Sequence, residues 1–271
     1  MQRHELLRAL HKATAARNYL EIGVNDGRSL ALSKVPSIGI DPAFKVNVDL
    51  RGDIQLARTT SDEFFAGKRP LGHLESARNP LKNIRKGRPL FSHYVGGTAL
   101  DLAFIDGMHL FEYALRDFMN VEKHSRWGSV IVLDDMLPRD VDEAARDRHT
   151  QFWAGDVFKV IPVLRKYRPD LLVVPVDTEP TGVVVVFGAD PDSDVLKKHY
   201  DEIHAEWVVP DPQKVPENIL GRADAISPEA LLGASFWPEL VRARNLRLPR
   251  ARGFGRLRSK IEAVLPTSAA V

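Results

Sequence analysis

Tyr19-Leu20-Glu21-Ile22-Gly23-Val24-Asn25-Asp26-Gly27 is the stretch that decides the fold. A short apolar run carries an acidic residue near its end and then breaks into a loop with glycines at Gly23 and Gly27. Apolar strands that stop at glycine are the mark of a strand-to-helix turn, because glycine lets the backbone bend sharply and approach a ligand with no Cβ in the way. Arg28 to Ser33 reads as the start of the helix that follows. Ser37-Ile38-Gly39-Ile40-Asp41-Pro42 is a second strand, stopped by its proline.

The same alternation runs outward from this unit. Glu5 to Thr14 has Leu6, Leu7 and Leu10 near helical spacing. A third strand lies within Asp53 to Thr59, and Ser61-Asp62 opens a short helix. Leu100 to Gly107 is a strand ending in Asp-Gly, a helix follows from about Phe111 to His124, and Ser129 to Asp135 is a nearly all-apolar strand. Helical material is expected from Val141 to Tyr167. Leu171–Val176 and Thr181–Phe187 form a terminal hairpin. The expectation is an α/β fold: a doubly wound, mostly parallel, seven-stranded Rossmann-like sheet with an antiparallel terminal hairpin and a C-terminal extension. The core domain is expected over 1–190, a helical and Pro-rich extension over 191–240, and a basic tail over 241–271. In that extension Asp194 to Trp207 reads as one helix and Pro228 to Leu232 as a short one.

The chain has 271 residues, 44% apolar and 27% charged, enough for a core and too ordinary for disorder. No apolar run reaches membrane-spanning length and no secretory h-region follows Met1, so a cytoplasmic protein is expected. With no cysteine, disulfides, thiolate metal sites and a cysteine nucleophile are excluded. Arg outnumbers Lys 25 to 13, which hints at a GC-rich bacterial source. The net charge of +2 conceals an uneven spread: residues 241–271 carry a net +7 and residues 66–90 a net +6. Such segments are usually solvated loops or tails, with attraction to an acidic partner, a membrane surface or nucleic acid as the alternative. Residues 66–98 read as a long basic loop, a candidate lid.

A carboxylate ending the second strand, Asp41, can accept both hydroxyls of a ribose. The glycine spacing departs from the dinucleotide fingerprint, and Glu21, Asp26 and Asp41 would disfavour a pyrophosphate while suiting a cationic cofactor. The Glu21 to Gly27 string, joined to Ile40-Asp41, resembles the class I S-adenosylmethionine-dependent methyltransferases over about residues 17–190. The resemblance implies S-adenosylmethionine as cofactor, with Gly23 and Gly27 beside its methionine moiety, Asp41 on the ribose, and Ser61 and Asp62 near the adenine. Glu21, Asp26 and Asp106 complete the expected cofactor set.

Asp106 closes the fourth strand and Asp134-Asp135 the fifth. If these strands are neighbours, three carboxylates converge at one edge of the crevice, and like charges so close call for a cation or a proton between them. Phe104-Ile105-Asp106-Gly107-Met108-His109, with Val132-Leu133-Asp134-Asp135 downstream, resembles the metal-dependent small-molecule and sugar O-methyltransferases. That resemblance implies Asp106, Asp134 and Asp135 as ligands of a divalent ion such as Mg²⁺. A second aspartate that the subgroup often carries is replaced here by Met108, so His109, beside catalytic Asp106, becomes the candidate general base. His149, Trp153 and Asp156 lie in a stretch rich in side chains suited to sugars.

The leading expectation is an enzyme that methylates a hydroxyl of a small molecule, a sugar or glycoside, in a chain that could pair as a homodimer. The alternatives are a nucleic-acid methyltransferase, favoured by the basic segments but lacking an Asn-Pro-Pro-Tyr-like string after the fourth strand, and a non-catalytic S-adenosylmethionine-binding partner protein. A nicotinamide-dependent oxidoreductase is the weakest, for want of the third fingerprint glycine.

Overall fold

The computed structural model describes residues 1–76 and 99–265. Most of the basic loop, residues 77–98, and the last six residues lie outside the described residues.

Seven strands form one sheet: β1 (Tyr19–Ile22), β2 (Ser37–Ile40), β3 (Ile54–Ala57), β4 (Leu102–Ile105), β5 (Val130–Asp134), β6 (Leu172–Val176) and β7 (Val183–Phe187), in the order β3-β2-β1-β4-β5-β7-β6. The first five are parallel, and β7 runs antiparallel to both β5 and β6. The strand order reverses between β1 and β4, so the crevice opens beyond the carboxyl ends of those two strands, where open α/β sheets bind ligands. The expected sheet is therefore the observed one.

Alternation along each strand feeds two separate cores. Leu20, Ile22, Ala103, Ile105, Ile131 and Leu133 face one layer, built from α3 (Gly72–Ser76), α4 (Phe111–Lys123), α5 (Val160–Tyr167), α6 (Val195–Lys198), α7 (Tyr200–Trp207) and α8 (Glu217–Leu220). Tyr19, Leu102, Phe104, Val130 and Val132 face the other, built from α1 (Arg3–Ala13), α9 (Pro228–Gly233), α10 (Trp237–Asn245) and α11 (Arg250–Glu262). The short helix α2 (Ser61–Phe65) begins at Thr60, whose hydroxyl accepts from the Glu63 amide while Glu63 reaches back, a capping box.

Several expected elements differ. The helix after β1 is a single 3₁₀ turn, Leu30–Leu32, because Pro36 and the start of β2 leave it no length. Residues 141–154 are not helical. Their charged side chains bond within the loop and across to its neighbours instead: Glu143 with Arg139, and Arg146 with Glu112 and Asp156. A 3₁₀ segment, Gly155–Lys159, then leads into α5. The helix over 194–207 breaks at His199 into α6 and α7. Residues 66–76 are not all loop, since α3 buries Leu74 beside Leu71.

The basic tail is the largest difference. Residues 241–265 belong to α10 and α11, which bury Leu240, Ala243, Phe254, Leu257 and Ile261 against the sheet. Two of their arginines reach the end of the sheet: Arg250 donates to Asp170 and the Gly188 carbonyl, and Arg258 to Glu262 and the Asp170 carbonyl. A high positive charge hid an apolar stripe at helical spacing. No helix among the described residues is long and apolar enough to cross a membrane.

Candidate active site

The loop after β1 is held open by two glycines in the left-handed region, Gly23 at φ +87° and Gly27 at φ +85°. At Gly23 the need is absolute. A Cβ there would lie 1.7 Å from the Asp106 carbonyl oxygen, so the β1 turn and the end of β4 touch only because Gly23 has no side chain. The Asn25 amide donates to Asp41 Oδ2 at 2.8 Å and the Ala43 amide to Asp41 Oδ1 at 2.6 Å. Each oxygen keeps a further lone pair, so the carboxylate at the end of β2 is fixed and still able to accept hydroxyls.

A cleft of about 540 Å³ opens beside these groups. Gly23, Asp41, Ser61, Asp62 and Asp106 line it, together with Asn25, Met108, His109, Tyr113 and Asp117. Three of the expected cofactor residues do not line it. Gly27 shapes the turn from behind. Asp26 closes on the Arg28 guanidinium at 2.6 Å. Glu21 is fully buried, because it shares the strand face of Tyr19 and points into the α1 layer. There it accepts hydrogen bonds from Tyr19 Oη at 2.6 Å and Ser29 Oγ at 2.7 Å. Burial pushes its carboxyl up to about 8, against the pull of those two hydroxyls.

That shift has a measurable consequence. The folded chain binds a proton at Glu21 that the unfolded chain releases near its ordinary value of 4.5. The stabilisation from that proton is complete below the unfolded pKa and is lost as pH rises from there through about 8. Glu21→Gln, which stays neutral, is expected to melt progressively higher relative to the native chain as thermal scans move from pH 5 to pH 9. A constant difference across that range would show that Glu21 is not protonated in the fold.

Asp117 was not legible as a site residue. It is buried on α4, its carboxylate accepts the Ser61 hydroxyl, and burial raises it to about 7. The available signal was an aspartate in the apolar stripe Ala114, Phe118, Val121. Asp62 is held in turn by Arg116 Nε at 2.9 Å and Asn120 Nδ2 at 3.2 Å.

At the other end of the cleft, Asp106, His109 and Asp135 bring one ligand atom each to within 4.8 Å of one another. His109 Nε2 lies 3.4 Å from Asp106 Oδ1 and 3.2 Å from Asp135 Oδ2, and its Nδ1 lies 2.7 Å from the Trp153 carbonyl oxygen. That carbonyl can only accept, so Nδ1 carries the hydrogen and Nε2 faces the two aspartates. The Trp153 ring stacks on the imidazole at 5.1 Å. Burial opposes a charge on His109, but Asp106, Asp135 and the Trp153 carbonyl together outweigh it and lift the imidazole to about 9. Burial also lifts Asp135, to about 6, with His109 and the Thr181 hydroxyl pulling it back.

Asp134 departs from the expected ligand trio. It shares the face of Val130 and Val132, so strand alternation turns it towards α1, where its Oδ2 is bonded by Arg3 Nη1. Burial, Asp106 and Asp135 push its carboxyl upward and Arg3 restrains it. His109 stands in the trio in its place. Two expected substrate residues also have other employment. Asp156 is sealed in the interior, capping α4 by accepting the Phe111 amide at 2.8 Å and holding Arg146 and Lys159 at 2.7 and 2.8 Å. His149 is exposed, turns Nδ1 to the Asp147 carbonyl at 2.7 Å and does not line the cleft. Trp153 donates Nε1 to the Ala145 carbonyl at 2.6 Å, which leaves it a positioning role beneath His109.

Residues 20–136, from β1 to just past β5, match a family model described as a methyltransferase domain. Over that span the chain is similar to methyltransferase domains. The matched span contains the strand ends that border the cleft. Among solved structures, the O-methyltransferase TomG from Streptomyces achromogenes, involved in tomaymycin synthesis, is 18% identical, with 69% of this chain and 79% of that one covered and a TM-score of 0.40. An O-methyltransferase from Bacillus cereus is also 18% identical, with 68% and 80% covered and a TM-score of 0.40. MycE methyltransferase from the mycinamycin biosynthetic pathway, solved with Mg, SAH and mycinamycin VI, is 16% identical, with 81% of this chain and 53% of that one covered and a TM-score of 0.42. No curated protein sequence matches the chain.

Proposed function

We propose that this chain carries the methyl group of S-adenosylmethionine to a hydroxyl oxygen of a small molecule, a sugar or glycoside, and that Asp106, His109 and Asp135 hold a divalent cation beside that hydroxyl. The observation that carries the reading is that Asp106 and His109 line the same cleft as Gly23 and Asp41, with the buried Asp135 in reach of both. One end is built for a nucleoside with a positive centre, the other for a cation and an oxygen.

The trio fits a metal on its own chemistry. Two carboxylates and an imidazole suit a divalent ion such as Mg²⁺ or Mn²⁺. An imidazole that gives its other N–H to a backbone carbonyl is set in the tautomer a ligand needs. As the site stands, the proton on His109 supplies the positive charge that Asp106 and Asp135 demand, and a cation would take over that duty. Such an ion lowers the pKa of a bound hydroxyl and fixes its oxygen.

The chain's residues do the rest. Gly23 and Asp41 hold the donor, and Asn25 and Ala43 keep Asp41 from turning away. Trp153 props His109, and Thr181 props Asp135. A neutral hydroxyl oxygen forms the new bond to the methyl carbon, the carbon–sulfur bond breaks, and S-adenosylhomocysteine leaves with that electron pair. The hydroxyl proton must pass to a local base. His109 takes it only when Nε2 carries neither a proton nor the cation; with Nε2 on the cation and Nδ1–H on the Trp153 carbonyl, the proton passes instead to a free carboxylate oxygen of Asp106 or Asp135. Exposed Phe152, next to Trp153, offers an apolar face for a pyranose ring.

The test is calorimetry with S-adenosylhomocysteine followed by a labelled-methyl assay on a panel of glycosides, with and without EDTA. Binding of S-adenosylhomocysteine should survive EDTA, while transfer to a hydroxyl should stop and return with Mg²⁺ or Mn²⁺. Undiminished transfer in EDTA removes the cation from the reading. Absence of heat removes the reading altogether.

A further inference from the structure

Asp134 is occupied. Its side chain is 1% exposed and bonded to the Arg3 guanidinium, which also lies 3.8 Å from Asp106 Oδ2. Asp134 Oδ1 is buried with no hydrogen-bond partner among the described residues. Arg3 is not a wandering surface cation. The helix behind it is anchored through Leu6, Leu7 and Leu10. Its own amide donates to the Glu179 carbonyl at 3.2 Å, and the Glu179 amide donates to the Met1 carbonyl at 3.0 Å. The N-terminal backbone is thus laced to the turn between β6 and β7, with the guanidinium delivered to the rim of the cleft.

We propose that Arg3 is a built-in counter-cation that pins Asp134 where strand alternation has turned it, outside the metal's coordination sphere, and so sets the affinity of the site for its divalent ion. This rests on the cation reading above. Two effects act in one direction. Asp134 gives Oδ2 to the guanidinium and its Oδ1 is buried, which leaves three protein ligands instead of four. The fixed positive charge beside Asp106 also repels a second cation. The site is therefore a weak one.

Mn²⁺ binding, followed by the electron paramagnetic resonance signal of the free ion, tests this in three proteins: the native chain, Arg3→Met, and Arg3→Met with Asp134→Asn. Arg3→Met frees a carboxylate and removes a positive charge, so Mn²⁺ should bind at least tenfold more tightly. The double variant replaces the ion pair by neutral groups, so its Mn²⁺ affinity should return to within about threefold of the native value. It also spares the fold a buried unpaired charge and remains informative if Arg3→Met does not fold.

If Asp134 were a ligand in the native chain, the double variant would instead lose Mn²⁺ by thirtyfold or more, and the role of Arg3 falls. It falls equally if Arg3→Met binds Mn²⁺ no more tightly than the native chain. A native chain that ignores Mn²⁺ beside an Arg3→Met variant that takes it up would confirm Arg3 as the block and overturn the cation reading for the native enzyme. If none of the three binds Mn²⁺, both ideas fail.

Discussion

Gly23→Ala is expected to lower the melting temperature by roughly 5–20 °C and to weaken S-adenosylhomocysteine binding by at least tenfold. Two costs combine. An alanine at φ +87° is strained, worth about 1–3 kcal/mol. Its Cβ would also sit 1.7 Å from the Asp106 carbonyl oxygen, a collision between two pieces of backbone that no rotamer change relieves. Forcing them apart costs about another 1–3 kcal/mol. For a domain of this size each kcal/mol is worth about 2–4 °C. The displaced piece carries Asp106, so cleft geometry should fail with stability. Gly27→Ala is the internal comparison: the same backbone strain, but the nearest atom is a Val46 methyl at 3.1 Å, which can move. Thermal scans and calorimetry on both variants decide the matter. Equal melting temperatures for Gly23→Ala and the native chain would show that the two loops are not in contact.

Asp135→Asn is expected to reduce turnover on the order of 10³-fold or more while leaving S-adenosylhomocysteine affinity within about threefold. Asparagine is the conservative choice because Asp135 sits at φ +61°, which asparagine tolerates best among residues with a side chain. The substitution keeps the shape beside Thr181 and removes the negative charge. If a cation polarises the acceptor hydroxyl here, losing a ligand forfeits several kcal/mol of transition-state stabilisation. Single-turnover rates with and without saturating Mg²⁺ provide the measurement. A loss of less than tenfold would place the chemistry elsewhere in the cleft.

Four of the five parallel strands were legible because each is buried on both faces and appears as a short, mostly apolar run, whereas β3 is half-exposed and could be placed only within a wider stretch. Their polar ends were legible for the same reason: Asp41, Asp106 and Asp135 interrupt such runs where the crevice must open. What escaped reading is long-range. Asp134 and Asp135 look equivalent as neighbours in a string, and only the alternation of β5 separates them, sending one to Arg3 and the other to His109. Knowing that Val130 and Val132 face α1 would have been enough to assign Asp134. Asp156 was read as a sugar-binding residue because a charged side chain in a loop suggests exposure, whereas it is a buried cap for α4. Glu21 has the position of a ligand-binding residue and the burial of a core one. The helices of the basic C-terminal stretch were masked by seven arginines flanking a narrow apolar seam.

That seam has a practical corollary for anyone preparing a shorter version of the enzyme. Ending the polypeptide at residue 190 would keep every strand and the entire cleft, yet strip α9, α10 and α11 from one side of the sheet. Phe187, which packs against Phe236 and Trp237, would then lose that cover, forfeiting about 1.5–3 kcal/mol of transfer free energy. The smallest fragment worth expressing runs to about Ile261, the last side chain sealed against that face.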